Sequence, residues 1–296
     1  MYEGIRSPAI HAPKTMNDLV SASSRFPNAV FWAGGTYIMS RHDYYPTRES
    51  HDIISLNEIP ELKRITRTDR YLEFGSMVNI SQLLSVGKPV LPKLLQETLR
   101  SMATHIVRKQ ITIGGALCTP DLRLGISGTL AVLNAEVEIK RCDGLKTDSK
   151  WIPVGRMYDQ NGALLLSKNE LVTHVRVGFG DENFHIFKSA GNPLANPEET
   201  VLFSLACSYN QSVINNLRFC FVLPQGGFLM SHDIEMMVRG MMLPFSSQQV
   251  SRIIRTFIDT IASGEQGKMA GIQKERIKRF FESTLHELNT RSLTER

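Results

Sequence analysis

Apolar positions along the chain change their period several times, and each change predicts an element. Thr15-Met-Asn-Asp18 places a hydroxyl three residues ahead of a carboxylate, a capping box with Asp in place of Glu. A short helix is predicted from there to about residue 24, ended by Pro27-Asn28. The apolar run 29–32 reads as a strand that leads straight into Ala33-Gly-Gly-Thr36, and 52–56 reads as a second strand. A helix between two strands in so short a stretch predicts a small parallel α/β unit. Residues 71–74 predict a strand that stops at Gly75. Leu91, Leu94, Leu95, Leu99 and Met102 fall on one face of a helix, with Pro92 tolerated in its first turn.

Further along, residues 111–115 (Ile-Thr-Ile-Gly-Gly) read as a strand-like piece ending in a glycine turn. Residues 130–133 read as helical or buried, and the alternation over 136–140 predicts a strand. A polar turn is predicted over 143–150, then strands over 171–179 and 184–188. Two Asn-Pro pairs mark 191–197 as a loop. The apolar runs 201–207 and 217–223 predict antiparallel neighbours, followed by helices over 231–240, 246–262 and 271–289. In the last helix Ile277, Phe281, Leu285 and Leu288 share a face, which leaves the basic stretch 274–279 as a solvated face in preference to a docking patch. A boundary near residue 180 separates an N-terminal unit (1–180, itself split near 58) from a C-terminal α+β unit (181–296).

The 34 basic and 29 acidic residues leave a net charge of +5, too mild for 296 residues to indicate nucleic acid. Cys118, Cys142, Cys207 and Cys220 form no Cys-x-x-Cys and do not stand beside a histidine at zinc spacing. That argues against a disulfide framework, a structural zinc and an iron–sulfur cluster within this chain. No segment approaches the roughly 18 apolar residues of a membrane span. The first residues hold no apolar run of signal-peptide length, so a cytoplasmic location is expected. The eight histidines do not cluster at metal spacing. Asp233 and Glu235 suit the start of a helix. Met236, Met237, Met241 and Met242 read equally as core filler or as a soft partner surface.

Gly-Gly occurs at 34–35, 114–115 and 226–227. A glycine pair after a strand lets the backbone turn sharply and brings bare N–H groups close to a phosphate. Two such loops from different subdomains could grip one pyrophosphate from both sides; the plainer reading makes each pair a tight turn. Neither of the first two pairs matches Gly-x-Gly-x-x-Gly, and the chain has no P-loop. The third pair reads as strand-to-helix geometry. Trp32, beside the first pair, reads as core packing ahead of ring stacking.

The ordered set tips the balance. Ala33-Gly-Gly-Thr36, Gly75-Ser-Met-Val-Asn-Ile-Ser81, Leu91-Pro-Lys-Leu, Val107-Arg-Lys-Gln-Ile-Thr-Ile-Gly-Gly115, Leu130-Ala-Val-Leu-Asn-Ala135, Glu136-Val-Glu-Ile, Asn169-Glu-Leu-Val172 and Phe187-Lys188 follow in one order. Together they resemble the FAD-binding subunit of the xanthine dehydrogenase and carbon monoxide dehydrogenase family of molybdenum hydroxylases, over nearly the whole chain. The resemblance implies an α+β chain with a two-subdomain FAD-binding fold of the PCMH and vanillyl-alcohol-oxidase type, followed by a C-terminal antiparallel sheet with helices. It implies an oxidoreductase subunit. Its FAD would take electrons from a 2Fe–2S small subunit beside a molybdenum-cofactor large subunit and pass them to NAD or another acceptor. The family pattern implies that Ala33, Gly34, Gly35, Thr36 and Tyr37 wrap the FAD pyrophosphate. It places Thr112, Gly114 and Gly115 at the diphosphate and ribityl side, Asp121 at a hydroxyl or ribose, Leu166 against a ring edge and Lys188 near the flavin pocket. No catalytic acid or base is required of the chain. His105 reads as a surface or hydrogen-bonded histidine ahead of a flavin donor.

The chain departs from the family at four places. Ala116 stands where the family has Asn or Ser, Gly125 where it commonly has Asp, and Tyr37 where it has Asp or a small polar residue. Asn192 and the Asn-Pro loop stand where it often has Arg and Asp. These departures leave the pyrophosphate loops intact and keep two further readings open: an assembly subunit with a degenerate flavin site, and a stand-alone FAD-dependent reductase.

Overall fold

The computed structural model describes residues 9–40, 52–87, 89–119, 124–142, 148–159, 161–193, 195–224, 227–263 and 269–294. The chain begins with β1 (Ile10–His11), α1 (Met16–Arg25), β2 (Val30–Trp32), α2 (Thr36–Ser40) and β3 (Ile53–Ser55). The three strands form a sheet in the order β1-β3-β2, both pairs parallel, the α/β unit the spacing predicts. The capping box is formed as read. Thr15 Oγ1 accepts from the Asp18 amide at 3.1 Å, and an Asp18 carboxylate oxygen accepts from the Thr15 amide at 3.1 Å. Leu19 of α1, Ile54 and Leu56 form a small core with Leu62 and Met77 of the next unit.

That unit is a five-stranded antiparallel sheet. It comprises β4 (Ile65–Arg67), β5 (Tyr71–Gly75), β6 (Glu136–Arg141), β7 (Ser149–Pro153) and β8 (Glu170–Gly178), in the order β4-β5-β8-β6-β7. Between β5 and β6 run α3 (Ile80–Ser85), α4 (Lys93–Ser101), α5 (His105–Arg108), α6 (Ile113–Leu117) and α7 (Gly125–Val132). Alternate strand residues Leu72, Phe74, Val137, Ile139, Val175 and Val177 point inward and share one core with these helices. Leu91, Leu94, Leu95, Leu99 and Met102 are all buried in that core, as their spacing predicts. The polar turn expected over 143–150 is shorter than read. Residues 143–147 lie outside the described set, and Ser149 and Lys150 already pair in β7 with Lys140 and Ile139.

The outer face of this sheet is polar. Glu138 accepts hydrogen bonds from Thr173 Oγ1 at 2.5 Å and pairs with His174 Nδ1 at 2.9 Å. Burial alone would push its carboxyl up; the Thr173 and His174 contacts outweigh burial and hold it below the usual carboxylate range. A carboxyl depressed in the folded state adds stability above its unfolded pKa, about 4.3 for glutamate, and that contribution is lost as pH falls through the folded value. Urea midpoints measured against pH should therefore show a shallower acid loss in Glu138→Gln than in the parent; coincident acid limbs would contradict this.

The last third forms β9 (Phe184–Ala190), β10 (Val201–Asn210), β11 (Val213–Leu223) and β12 (Gly227–Leu229), an antiparallel sheet in the order β12-β11-β10-β9. Then come α8 (His232–Val238), α9 (Ser247–Ser263) and α10 (Gly271–Thr294). One sheet face, with Phe203, Leu205, Phe219 and Phe221, packs on these helices, including Ile277, Phe281, Leu285 and Leu288 of α10. The other face, with Leu202, Ala206, Cys220 and Val222, belongs to the core of the five-stranded unit. Cover on both faces explains why β10 reads as a near-continuous apolar run, interrupted by Ser204, rather than an alternation. The approach is closest at Gly128 of α7, where a Cβ would lie 2.4 Å from Val222 Cγ2. The methionines divide between the two readings: Met237 and Met241 pack on the C-terminal core, while Met236 and Met242 are exposed. Of the third glycine pair, Gly226 lies outside the described residues, and Gly227 opens β12 at φ +88°.

Candidate cofactor site

The first two glycine pairs meet. β2 delivers Ala33, Gly34 and Gly35 to the start of α2, and Gly34 backs directly onto the segment before α6. A Cβ on Gly34 would lie 1.9 Å from the Gln110 carbonyl oxygen. Gly35 sits at φ +69°, and a Cβ there would lie 2.5 Å from the Trp32 ring. Glycine is needed at 34 for the approach and at 35 for both the turn and the room. Trp32 is half-buried and sets its ring against Gly35, a support for the loop in place of the core role favoured from sequence.

The second pair is built differently from the strand-and-turn expected over 111–115. Some strand-like pairing survives: the Ile80 amide donates to the Ile111 carbonyl, and the Ile113 and Gly114 amides donate to Val78 and Ser76 carbonyls at 2.9 and 2.8 Å. Thr112 then caps a helix, its Oγ1 accepting from the Gly115 amide at 3.2 Å, so both glycines lie inside α6. The cap overrides the β-branched propensity of Ile-Thr-Ile. Gly114 is turned inward, where a Cβ would lie 2.5 Å from Ser76 Cβ, while Gly115 faces Ala33.

Between the two glycine loops opens a cavity of about 550 Å³, within the range of cofactor pockets. All three parts of the chain line it: Ala33 to Ile38 and Ser40 from the first, Ser101 to Gly125 in stretches from the second, and Phe187, Ser189, Asn192 and Leu202 from the last. Among the described residues, no lining side chain carries a charge. An anion held here would meet backbone amides and the hydroxyls of Thr36, Thr112 and Ser189, since those of Ser40, Ser101 and Thr119 donate to backbone carbonyls. Cys118 also lines it, and burial pushes its thiol up to about 12, so it stays protonated and unreactive. A mostly apolar slot bordered by two glycine loops, where a Cβ at Gly34 or Gly35 would drive the loop off the Gln110 carbonyl or the Trp32 ring, fits a dinucleotide carrying flat rings.

The structure brings Ala33, Gly34, Gly35, Thr36, Tyr37, Thr112 and Gly115 to this cavity. Three other predicted residues among the described ones do not line it. Gly114 packs on Ser76. Leu166 packs against the edge of the core of the five-stranded unit. Lys188 is turned away, because strand side chains alternate: Phe187 and Ser189 face the cavity, and Lys188 Nζ donates to Ser283 Oγ and Glu287 Oε1 on α10, both at 2.6 Å. Asp121 lies outside the described residues. His105 is exposed on α5 and does not line the cavity. Sequence reasoning missed Phe187, Ser189, Met102 and Ala103. The signal for Phe187 was present, since period-two alternation in a strand flanked by covered faces puts neighbours of Lys188 on the opposite side. Gly125, noted only as a departure, lines the cavity, and a Cβ there would lie 2.8 Å from the Phe187 ring.

Residues 5–178 match the family model described as the FAD binding domain in molybdopterin dehydrogenase. The xanthine dehydrogenase FAD-binding subunit of Escherichia coli O157:H7 is 25% identical over 165 residues, covering 55% of this chain and 54% of that protein. A probable aldehyde oxidase 3 of Oryza sativa subsp. japonica is 36% identical over 93 residues, covering 30% of this chain and 7% of that protein. The chain thus spans about half the length of the bacterial subunit and a small part of the plant protein. Among solved structures, carbon monoxide dehydrogenase from Hydrogenophaga pseudoflava aligns with a TM-score of 0.78 at 18% identity, over 96% of this chain and 97% of that one. Quinoline 2-oxidoreductase from Pseudomonas putida 86 aligns with a TM-score of 0.78 at 15% identity, over the same shares. These alignments confirm the α+β architecture: a two-subdomain FAD-binding fold of the PCMH type followed by an antiparallel sheet with helices. With the family match spanning residues 5–178 of 296, the protein belongs to the family of FAD-binding domains in molybdopterin dehydrogenases.

Proposed function

We propose that the chain is the FAD-carrying, electron-transfer subunit of a cytoplasmic molybdenum hydroxylase, with its cofactor in the cavity between the two glycine loops. The observation that carries this is the meeting of Gly34 and Gln110, which closes two loops from different subdomains around one slot. FAD supplies the redox chemistry, accepting electrons from a reduced centre and passing them on. The chain's own residues bind and orient it. The amides of Gly34 and Gly35 would hold the pyrophosphate, with Thr36, Tyr37 and Thr112 around it, while the Gly115 amide stays with the Thr112 cap. Phe187, Met102 and Leu202 supply apolar walls that exclude water from the ring system. Among the described residues no group of His, Cys, Asp and Glu is placed to hold a metal. In this reading a 2Fe–2S small subunit and a molybdenum-cofactor large subunit supply the other centres, and NAD or another acceptor takes the electrons.

A second reading, an assembly subunit with a degenerate flavin site, is favoured by the Phe187 ring against Gly125 and by Lys188 tied to α10. One titration separates the two. Apoprotein titrated with FAD should quench flavin fluorescence to a one-to-one endpoint and sharpen the visible band. Absence of uptake would sink the first reading and leave the second. Co-purification with a molybdenum-containing large subunit and a ferredoxin-like small subunit would then test the assembly.

A further inference from the structure

Part of the cavity wall is the turn that ends α4. Ser101, Met102 and Ala103 line it. Ala103 sits at φ +53°, a left-handed conformation that costs a residue with a Cβ about 1–2 kcal/mol. The last carbonyls of a helix also lack intrahelical donors. Here one side chain serves them. Arg108 of α5 donates from Nε to the Met102 carbonyl at 2.7 Å, from Nη2 to the Ala103 carbonyl at 3.1 Å, and from Nη2 to the Arg100 carbonyl. Two residues further on is Gln110, the residue against which Gly34 packs.

We propose that Arg108 is a positioning residue of the FAD site, gathering the carbonyls of Arg100, Met102 and Ala103 and so fixing the stretch of cavity wall formed by Ser101, Met102 and Ala103. The proposal rests on the placement of FAD in this cavity. A planar guanidinium presents its donors as a rigid fork, which suits three oxygens converging on one point; an ammonium on a flexible stem does not hold them in one geometry. With the fork removed, Ala103 relaxes out of its left-handed conformation, and Ser101 and Met102 move with it. Arg108 touches no part of the cofactor itself. Its effect is carried by the backbone of the turn.

The test uses the full chain with three substitutions, Arg108→Lys, Arg108→Gln and Arg108→Ala, beside the parent and Gly34→Ala. FAD dissociation constants come from fluorescence titration, the ring environment from visible-region circular dichroism of bound flavin, and stability from urea unfolding. Arg108→Lys and Arg108→Gln should each weaken FAD binding about tenfold and alter the visible dichroism. Millimolar ethylguanidinium should restore affinity to Arg108→Ala, whereas ethylammonium at equal ionic strength should not. Parent-like affinity and dichroism in folded Arg108 variants, even with lowered stability, would overturn the proposal and leave Arg108 a purely structural residue. Equal rescue by both cations would overturn it too. If Gly34→Ala binds FAD as the parent does, the cavity assignment itself fails; if Gly34→Ala loses FAD while the Arg108 variants keep it, only this proposal fails.

Discussion

Gly34→Ala is expected to weaken FAD binding about 100-fold or more, equivalent to at least roughly 2.7 kcal/mol. The added Cβ would lie 1.9 Å from the oxygen and 3.0 Å from the carbon of the Gln110 carbonyl. Both are backbone atoms, so no side-chain rotation relieves the clash. The loop must lift away from the 110–112 segment, at an overpacking cost of about 1–3 kcal/mol. Because that segment runs into Thr112 and Gly115, the lift opens the cradle from both sides. A displacement of about 1 Å is enough to lose several amide contacts at once. Gly271→Ala is the control: nothing lies within 4 Å of a Cβ there, and the position opens α10. It should leave FAD affinity unchanged and stability equal or slightly raised. Spectrophotometric titration of the two purified variants decides the matter, and parent-like affinity in Gly34→Ala would refute the cradle.

Phe281→Ala should destabilise the fold by about 3–5 kcal/mol while leaving the folded protein able to bind FAD. Phe281 is 1% exposed and sits at the centre of a ring cluster. Its ring centroid lies 4.7 Å from Phe257, 5.0 Å from Phe219 and 6.4 Å from both Phe203 and Phe221. Truncation removes edge and face contacts to four rings and leaves a cavity among side chains from two strands and two helices that cannot close independently. The cluster lies on the face of the C-terminal sheet away from the FAD cavity, whose contribution from that sheet comes from Phe187, Ser189 and Leu202. Urea unfolding of the two proteins measures the loss; a change below about 1 kcal/mol would show that the rings are not packed as described. A loss of FAD binding at denaturant-free equilibrium, in protein that remains folded by far-ultraviolet dichroism, would show that the two faces are coupled.

The legible parts of the fold were those that local rules decide. The Thr15–Asp18 box closes on itself within one turn. The five apolar residues from Leu91 to Met102 need only a 3.6-residue period to find the same face. The runs 201–207 and 217–223 pair because each is apolar, short and separated by a turn. Where local rules were in conflict, the reading failed. Ile111-Thr-Ile113 has strand propensity, yet the Thr112 cap and the packing of Gly114 on Ser76 turn it into α6. At Lys188 the motif pointed to the charged residue, while the alternation of β9 faces Phe187 and Ser189 into the cavity.

The sequence by itself, through the resemblance its ordered motifs carry, determined the family and the cofactor, and it placed a glycine pair directly after a strand. Those motifs rest on a residue type whose use is intrinsic: glycine where no Cβ is tolerated. Only the tertiary structure decided how the site is enclosed. It brought Gly34 against Gln110, set the Phe187 ring over Gly125 and hung the strained turn at Ala103 on Arg108. Each of these joins residues that no local period relates, and each depends on how closely two backbones or a ring and a backbone approach. Such distances are set by the packing of three sheets and their helices, a property of the whole chain.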